Sequence, residues 1–401
     1  MITGAADDDP SGIATYSVAG AQFGTRLLWT ALLTWPLMAA VQMMCARIGK
    51  VTGEGLAGNL KQRFPRWLLV AFVTALLAAN TINIGADLAG MADAAAMLSG
   101  INSHLFVAGF ALLIGWATVR LEYKQIAGVL KWLVLVLFAY PVTAFVVGAN
   151  WGQVLRDTFV PSIPSGREEW ATLVAILGTT ISPYLFFWQA SEEVEEEKSE
   201  GQSTLAQRRG ATEEELGLRK IDVGVGAFFS NMVMFFIILT TAVTLNRHGI
   251  THIETSRQAA EALKPFAGKF AATLFTLGIV GVGFLAIPTL AGSAAYAFAE
   301  TLGWRQGLNR KLKQARWFYS LILASMGVGV ALDLIGINPV KALYWTAVLN
   351  GLLAPFLLVG ILMVAADKKL MQGQPSSRLG WIVVALTTVA MFAAGVAMFV
   401  V

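Results

Sequence analysis

Three adjacent carboxylates, Asp7, Asp8 and Asp9, lie near the start of the sequence inside an otherwise apolar segment. Carboxylates are costly at membrane depth, so they need a cavity, a cation or protons to compensate their charge. Pro10 removes a helix donor and Gly12 tolerates unusual backbone angles, so a helix would break directly beside these acids. A broken helix persists in a membrane only where its freed carbonyls and amides line a polar cavity. The segment therefore predicts an ion-binding site.

A second interruption of an apolar run occurs at 178–184, where the sequence reads Gly-Thr-Thr-Ile-Ser-Pro-Tyr. Two Pro-interrupted segments in corresponding halves of a chain indicate the substrate site of a secondary transporter. Carboxylate, hydroxyl and carbonyl oxygens suit hard cations such as Mg²⁺, Ca²⁺ or Mn²⁺. The predicted substrate or metal ligands at the two breaks are Asp8, Asp9, Ser11, Gly12, Thr179, Thr180, Ser182 and Tyr184, with Asp7 as a further candidate.

Polar residues also interrupt the third apolar run. Helical spacing places Asn80, Asn83 and Asp87 on one face, at i, i+3 and i+7. An ionisable residue inside a membrane is a functional candidate by default, so these three predict a proton or ion path. The alternative is that Asp87 is a neutral, hydrogen-bonded packing residue. Asn350, in the tenth run, is either a further site residue or a hydrogen-bonding contact between helices.

Composition identifies the elements that must position these residues. Of the 401 residues, 56% are hydrophobic and only 13% are charged, whereas soluble proteins carry about 25% charged residues. The chain is therefore predicted to be an all-helical, polytopic membrane protein. The single cysteine, Cys45, excludes an intramolecular disulfide and any cysteine-rich metal site. The net charge of +4 is explained by membrane topology, so neither a nucleic-acid partner nor a cofactor is expected.

Eleven apolar runs have about the length needed to cross the hydrocarbon core of a bilayer. With the N-terminus in the cytoplasm, about 21 of the 29 Lys and Arg residues fall on the cytoplasmic side, as the positive-inside rule expects. This arrangement predicts an integral protein of a bacterial-type plasma membrane, with the lipid bilayer as its surroundings. The runs lie near 2–24, 27–48, 67–98, 104–119, 126–149, 171–191, 222–246, 270–298, 315–337, 340–365 and 380–401.

The single long polar segment, 192–220, begins with five glutamates and ends with basic residues. A charge run of this kind is usually solvated, so we expect a cytoplasmic linker between two halves rather than an ion-recruiting segment. The loop 247–266 is expected to be external, with a short helix. It contains two histidines four residues apart, but Gly249 and β-branched neighbours argue against a helical metal site there.

The motifs resemble those of the Nramp family of proton-coupled divalent metal transporters. The stretch 9–15 is similar to that family's Asp-Pro-Gly-Asn motif with its following Ala-Thr, and 19–24 is similar to its continuation. The segments 51–53 and 86–89 also match, and 178–183 aligns with the family motif Gly-Ala-Thr-Val-Met-Pro-His-Asn. The resemblance covers nearly the whole chain.

This resemblance implies the LeuT-type fold, in which two inverted five-helix repeats enclose a site between broken spans one and six. It places all of 1–401 in one transporter domain. Within it, 1–150 would form the first repeat, 171–365 the second repeat, 192–220 the linker and 380–401 one additional helix. Such chains usually have a longer segment before the Asp-Pro motif than the eight residues present here, so we expect either that the start of this sequence was assigned too late or that the first half-helix is short.

Several residues depart from the family pattern. The family's metal-binding asparagine corresponds to Gly12, its methionine ligand to Ser182, and the histidine tied to its proton route to Tyr184. The next asparagine corresponds to Leu185, the acid three residues after Asp87 to Gly90, and the tenth-span glutamine to Leu353. Of the familiar ligands only Asp9 remains clearly recognisable. The chain therefore resembles a divergent, Nramp-related branch.

These departures predict the cargo. Losing the thioether removes a preference for transition metals and leaves an all-oxygen set. Mg²⁺ dehydrates reluctantly and could keep part of its water shell in a wide acidic cavity. We therefore expect a hard divalent cation, Mg²⁺ or Mn²⁺, with Asp9 as its main ligand. Losing the histidine and the third-span acid argues against proton coupling and favours uniport along the membrane potential.

Three other functions remain open from the sequence. The same fold could carry a small organic cation against the aromatic faces of Tyr184, Phe186 and Trp188. It could import a transition metal through rearranged ligands. A different class of function is a non-transporting membrane sensor that uses 192–220 as its partner surface. An enzyme is not expected, because the sequence contains no nucleophile–base set, phosphate loop or metallohydrolase spacing.

Overall fold

The computed structural model describes residues 9–121, 128 and 135–401. All secondary structure in these residues is helical, which confirms the predicted fold class. The first half contains α1 (Pro10–Phe23), α2 (Trp29–Thr52), α3 (Leu56–Leu60), α4 (Arg66–Ser99), α5 (Ser103–Arg120), α6 (Ala139–Val146) and α7 (Trp151–Phe159). Helices α8 (Arg167–Thr180), α9 (Pro183–Ser199), α10 (Leu205–Arg208) and α11 (Glu213–Thr244) follow.

The remaining α-helices are α12 (Ser256–Glu261), α13 (Lys264–Ala267), α14 (Ala271–Leu302), α15 (Arg316–Asp333), α16 (Pro339–Ala366) and α17 (Arg378–Val400). Short 3-10 turns lie at Gly24–Leu27, Leu135–Phe138, Asn246–His248 and Gly268–Phe270. Helices α12 and α13 occupy the loop 247–266, where a short helix was predicted.

Eight helical segments within the described residues are long and apolar enough to cross a membrane. The pair α8–α9 counts as one of them, and the others are centred on α2, α4, α5, α11, α14, α16 and α17. Helices α1 and α15 match two further predicted runs in position. Much of the predicted run 126–149 lies outside the described residues. The total of eleven spans therefore stays a prediction.

Helix α4 is the central element of the packing. It contacts α14, α15 and α16 along its length, while α8 packs against α16, and α9 packs against α2 and α14. Helix α1 contacts α8, α11 and α16 and also meets α4. The start of α1, the break between α8 and α9, and the middle of α4 are therefore brought to one place.

The acidic part of 192–220 is folded and buried, and the prediction of a solvated segment is wrong there. Helix α9 continues through Ser199, and its residues Glu193 and Glu197 are each 1% exposed. The burial is possible because basic side chains from α2 and α11 pair with these acids. Lys50 lies 3.8 Å from Glu197, and Arg219 lies 2.9 Å from Glu193. The placement of 192–220 on the cytoplasmic side stays a prediction.

Candidate cation site

The first half of the site is the start of α1. Asp9 is the N-cap residue, and its Oδ1 accepts hydrogen bonds from the Gly12 amide at 2.7 Å and the Ser11 hydroxyl at 2.6 Å. Pro10 suits the first helical position because its fixed φ matches the helix and its missing N–H is not needed there. The positive end of the helix dipole also favours a carboxylate at this point. The sequence thus fixes Asp9 as the buried N-cap of α1.

The second half is the break between α8 and α9. Helix α8 ends at Thr180, and Pro183 begins α9. The hydroxyl of Thr179, in the last turn of α8, donates to Asp9 Oδ1 at 3.4 Å. The α8 C-terminus therefore meets Asp9. Since the carbonyls at such an end carry partial negative charge, they and the Asp9 carboxyl group together form a place that favours a cation.

Helix α4 completes the site from the side. The Asn83 amide donates to Asp9 Oδ2 at 3.0 Å, and its own Oδ1 has no hydrogen-bond partner. Asp87 is fully buried one turn further along α4, close enough to Asp9 for the two carboxylates to repel each other. The Ser11 amide faces Asp87, but neither Asp87 oxygen makes a hydrogen bond of ordinary geometry.

The two carboxylates have no fixed cation beside them. Within residues 9–121, 128 and 135–401, neither Asp9 nor Asp87 forms an ion pair with a Lys, Arg or His side chain. Buried carboxylates are normally paired, protonated or bound to a metal. In the same residues no group of three or more His, Cys, Asp or Glu side chains could hold a metal.

Three predicted site residues point elsewhere. The Ser182 hydroxyl donates to the Gly178 carbonyl at 2.6 Å and the Thr179 carbonyl at 3.0 Å, so it satisfies groups freed by the break. The Thr180 hydroxyl donates back to Ile176 within α8. The Asn80 amide bonds to Leu290 and Ser293 of α14 instead of to Asp9. These three contacts stabilise helices, and a ligand role for these residues stays a prediction.

The remaining predicted residues surround the break. An ideal Cβ built on Gly12 would lie 3.2 Å from Thr179 Oγ1, so α1 and α8 pack closely. Tyr184 is fully buried in the first turn of α9. Asn350 is buried beside Gly351, where α16 crosses α8, and its Oδ1 has no hydrogen-bond partner. Asp7 and Asp8 lie outside the described residues.

The sequence reasoning missed Thr15. Its side chain is fully buried on α1, and its hydroxyl has no hydrogen-bond partner. Helical spacing could have found it, because Thr15 follows Ser11 by four residues and shares its face. A hydroxyl on this face extends the polar lining of α1 beyond the break.

A cavity of about 580 Å³ opens beyond the far end of α1, on the face that carries 247–266. It is lined by Val18 and Gln22 of α1, Arg167 of α8, and His252 and Glu254 of the loop. Val18 lies nine residues from Asp9, or about 13 Å along a helix. A much smaller apolar cavity, lined by Ile13, Ala14, Ile253 and Leu343 among others, lies beside the intervening part of α1. The cation site is therefore separated from this mouth by apolar side chains.

Comparisons with known proteins agree with this geometry. The family model described as natural resistance-associated macrophage protein-like (Nramp) matches residues 1–401. A divalent metal cation transporter, MntH of Caldanaerobacter subterraneus, is 27% identical over 374 residues, covering 91% of this chain and 83% of the relative. The MntH of Klebsiella pneumoniae is 25% identical over 391 residues, covering 94% of this chain and 88% of the relative.

A solved structure shares the fold. The manganese transporter of Eremococcus coleocola superposes with a TM-score of 0.73 at 16% identity, covering 99% of this chain and 85% of that one. At this identity the likeness establishes the architecture and not the cargo.

Proposed function

This chain belongs to the Nramp family, and from that premise we propose that it carries a hard divalent cation across the membrane by alternating access. It is an integral, polytopic membrane protein and a metal transporter rather than an enzyme, and the metal is its substrate and not a cofactor. The finer proposal concerns the ion and its ligands. We assign the main ligand role to Asp9, where the start of α1 meets the break between α8 and α9.

One observation carries the proposal. Asp9 and Asp87 are buried together at the helix breaks without a basic partner in the described part of the chain. Two carboxylates match the charge of a divalent cation, and removing them from water without compensation is costly. A cation that enters the site relieves this cost, and its departure restores it. This is the balance that a transporter needs, because its substrate must also leave.

The contacts favour a hard ion. Among the described residues, the side chains that contact Asp9 are Ser11 and Thr179, through their hydroxyls, and Asn83, through its Nδ2–H. The second polar atom of the Asn83 amide is an oxygen that has no hydrogen-bond partner. No methionine or cysteine sulfur appears among these contacts, and carboxylate, amide and hydroxyl oxygens suit Mg²⁺ or Mn²⁺ better than softer metals. We therefore propose Mg²⁺ first and Mn²⁺ second, bound with part of their water shell.

We further propose that transport proceeds without a coupled proton. An ideal Cβ at Gly90 would lie 2.8 Å from Leu343 Cδ1, so an apolar side chain occupies the place where the family resemblance implies an acid. Tyr184 stands where it implies a histidine. The membrane potential alone supplies about 2.3 kcal/mol per charge per 100 mV, which can drive a divalent cation inward.

Isothermal titration of the purified protein with Mg²⁺, Ca²⁺ and Mn²⁺ tests the proposal, together with an Asp9→Ala variant. We expect wild-type binding of at least one ion and a loss of more than about 100-fold in affinity in the variant, since even outer-shell changes cost 10–100-fold. Asp367→Asn is the matched control, because Asp367 pairs with Arg63 away from the site. It should bind like wild type.

Flux into proteoliposomes completes the test. We expect Mg²⁺ uptake that depends on Asp9 and on membrane potential, with no accompanying acidification of the vesicle interior. Absence of ion binding and flux in the wild type would refute the proposal. Uptake accompanied by proton entry would overturn only the uncoupled mechanism.

The organic-cation alternative receives less support. Phe186 and Trp188 are buried in the hydrophobic core, and Trp188 packs against Gly292 and Tyr296. The close approach of Gly12 to Thr179 also leaves space for an ion rather than for an organic molecule. If small amines compete with one another for transport, and Mg²⁺ and Mn²⁺ have no effect on it, the organic-cation function would be favoured over the metal-ion function.

A further inference from the structure

We propose that Asn83 and Asp87 of α4 are direct cation ligands, so that the site lies between α1 and α4 rather than between α1 and α9. The inference rests on the proposed function and specifies which residues select the ion. It places a side-chain amide and a second carboxylate where the sequence reasoning expected only a path for protons or ions.

The first support is the position of Asn83. Its side chain is fully buried, its amide N–H contacts Asp9 Oδ2 at 3.0 Å, and its Oδ1 has no partner. A buried amide oxygen without a hydrogen bond is costly. A rotation of the amide about its terminal bond would turn this oxygen toward Asp9, where it could bind a cation. In the absence of a cation, the N–H partly compensates the Asp9 charge.

The second support is Asp87. It lies four residues after Asn83, so the two side chains are neighbours on one face of α4. Both of its carboxylate oxygens lack hydrogen bonds of ordinary geometry, and Asp9 repels it electrostatically. A cation between the two carboxylates converts this repulsion into two attractions. Asp9, Asp87 and Asn83 then offer oxygen ligands with a combined charge of −2.

The third support is the hydrogen bonding of the side chains at the α8–α9 break. Ser182, which stands in the place of the family's thioether ligand, already donates to the carbonyls of Gly178 and Thr179. Thr179 reaches Asp9 only through a long contact of 3.4 Å. The side chains of this break therefore contribute less to the site than those of α4. An amide oxygen in place of sulfur directs selectivity toward hard ions.

The experiment is Mg²⁺ and Cd²⁺ titration of full-length variants, with melting temperature measured on each. We expect Asn83→Leu and Asp87→Asn to weaken Mg²⁺ binding at least about tenfold. Ser182→Ala, whose hydroxyl donates to the Gly178 and Thr179 carbonyls, should change it by less than about twofold. Asn231→Leu is the matched control, because it removes a buried amide bonded to Thr34 and Ala227 on other faces of the bundle. It should lower the melting temperature without changing the affinity.

A variant that keeps an oxygen separates a ligand from a packing residue. Asn83→Asp retains the shape, adds a charge and should bind Mg²⁺ at least as tightly as wild type. Asn83→Met should instead improve Cd²⁺ relative to Mg²⁺, because a thioether is a soft ligand. If Asn83→Leu does not fold, these two variants still decide the question. Weaker Mg²⁺ binding in Asn83→Asp, or an unchanged ion preference in Asn83→Met, would overturn the inference.

The same data separate this inference from the proposed function. Binding that depends on Asp9 and on Thr179 or Ser182, but not on Asn83 or Asp87, would overturn the α4 ligands and leave the transporter proposal intact. No binding of any divalent ion to the wild type would remove the proposed function, and this inference with it.

Discussion

Two groups of buried acids lie at opposite ends of α9 and have opposite surroundings. Near its start, Asp9 and Asp87 share a site without a basic side chain among the described contacts. At its other end, Glu193 and Glu197 are equally buried, but Arg219 and Lys50 form ion pairs with them. We call the second group the paired cluster, formed by Lys50, Glu193, Glu196, Glu197, Glu215 and Arg219.

The difference shows what a buried carboxylate does in each place. In the paired cluster, Lys50 lies between Glu197 on α9 and Glu215 on α11, at 3.8 Å and 3.4 Å. The fixed ammonium joins three helices, so the cluster stabilises the fold. In the cation site no Lys, Arg or His of the described residues supplies the corresponding positive charge, and in the proposed function an ion supplies it. Buried carboxylates therefore stabilise the fold at one end of α9, and we propose that they bind the transported ion at the other.

The largest expected effect is a loss of stability when the charge of Lys50 is removed from the paired cluster. Lys50→Met leaves Glu197 and Glu215 without their shared partner, and losing one member of a buried ion pair costs about 3 kcal/mol or more. Because Glu215 is partly exposed, the effect should fall at the lower end of that range. We expect a clear fall in the melting temperature of the detergent-solubilised protein, with unchanged Mg²⁺ affinity.

Two controls sharpen this result. Lys50→Arg keeps the charge and should recover most of the stability. Lys61→Met removes a lysine whose ammonium, among the described residues, donates to the Thr301 carbonyl alone, so its effect should be within about 1 kcal/mol. Equal melting temperatures for Lys50→Met and Lys61→Met would show that the paired cluster has no special structural role.

The second-largest expected effect is a gain in stability instead of a loss. Asp87→Asn replaces a buried carboxyl group that pairs with no basic side chain among the described residues, so without divalent ions the variant should be more stable than wild type by about 1 kcal/mol. Saturating Mg²⁺ should reverse the order, because a ligand at 100 times its Kd stabilises the protein that binds it by about 2.7 kcal/mol. Thermal unfolding without Mg²⁺ measures the expected gain in stability, and thermal unfolding with Mg²⁺ measures the expected reversal.

Asp93→Asn provides the comparison on the same helix. Asp93 accepts a hydrogen bond from the Ser256 amide and therefore has a partner. This substitution should not stabilise the ion-free protein. A rise in melting temperature for both variants would mean that any lost carboxylate on α4 is stabilising, and the contrast between paired and unpaired acids would fail.

Local sequence signals predicted one part of the site. Pro10 and Pro183 interrupt apolar runs, and the structure begins a helix at each of them. These predictions succeed because a proline acts on its own backbone, whatever the rest of the chain does. The helical spacing of Asn83 and Asp87 likewise predicted a shared face of α4, and in the structure both residues face Asp9.

Contacts between distant segments were not predictable. The acidic run after Ser191 looked solvated because its partners, Lys50 and Arg219, come from α2 and α11. Asn80 was grouped with Asn83, yet positions three apart differ by about 60° around a helix. This angle is enough for Asn80 to face α14 while Asn83 faces Asp9.

The smallest expected effect concerns Ser182, which the sequence placed among the cation ligands. In the structure its hydroxyl donates to the Gly178 and Thr179 carbonyls, which the break leaves without amide partners. Ser182→Ala should therefore cost about 1 kcal/mol of stability, the usual worth of such hydrogen bonds, and should change Mg²⁺ affinity by less than about twofold. Ser182→Thr, which keeps the hydroxyl, should lose neither stability nor Mg²⁺ affinity. A selective loss of affinity in Ser182→Ala at unchanged melting temperature would return Ser182 to the ligand set. It would also move the site from α4 toward α9, so that the start of α9 would bind the ion while its other end stays neutralised by fixed charges.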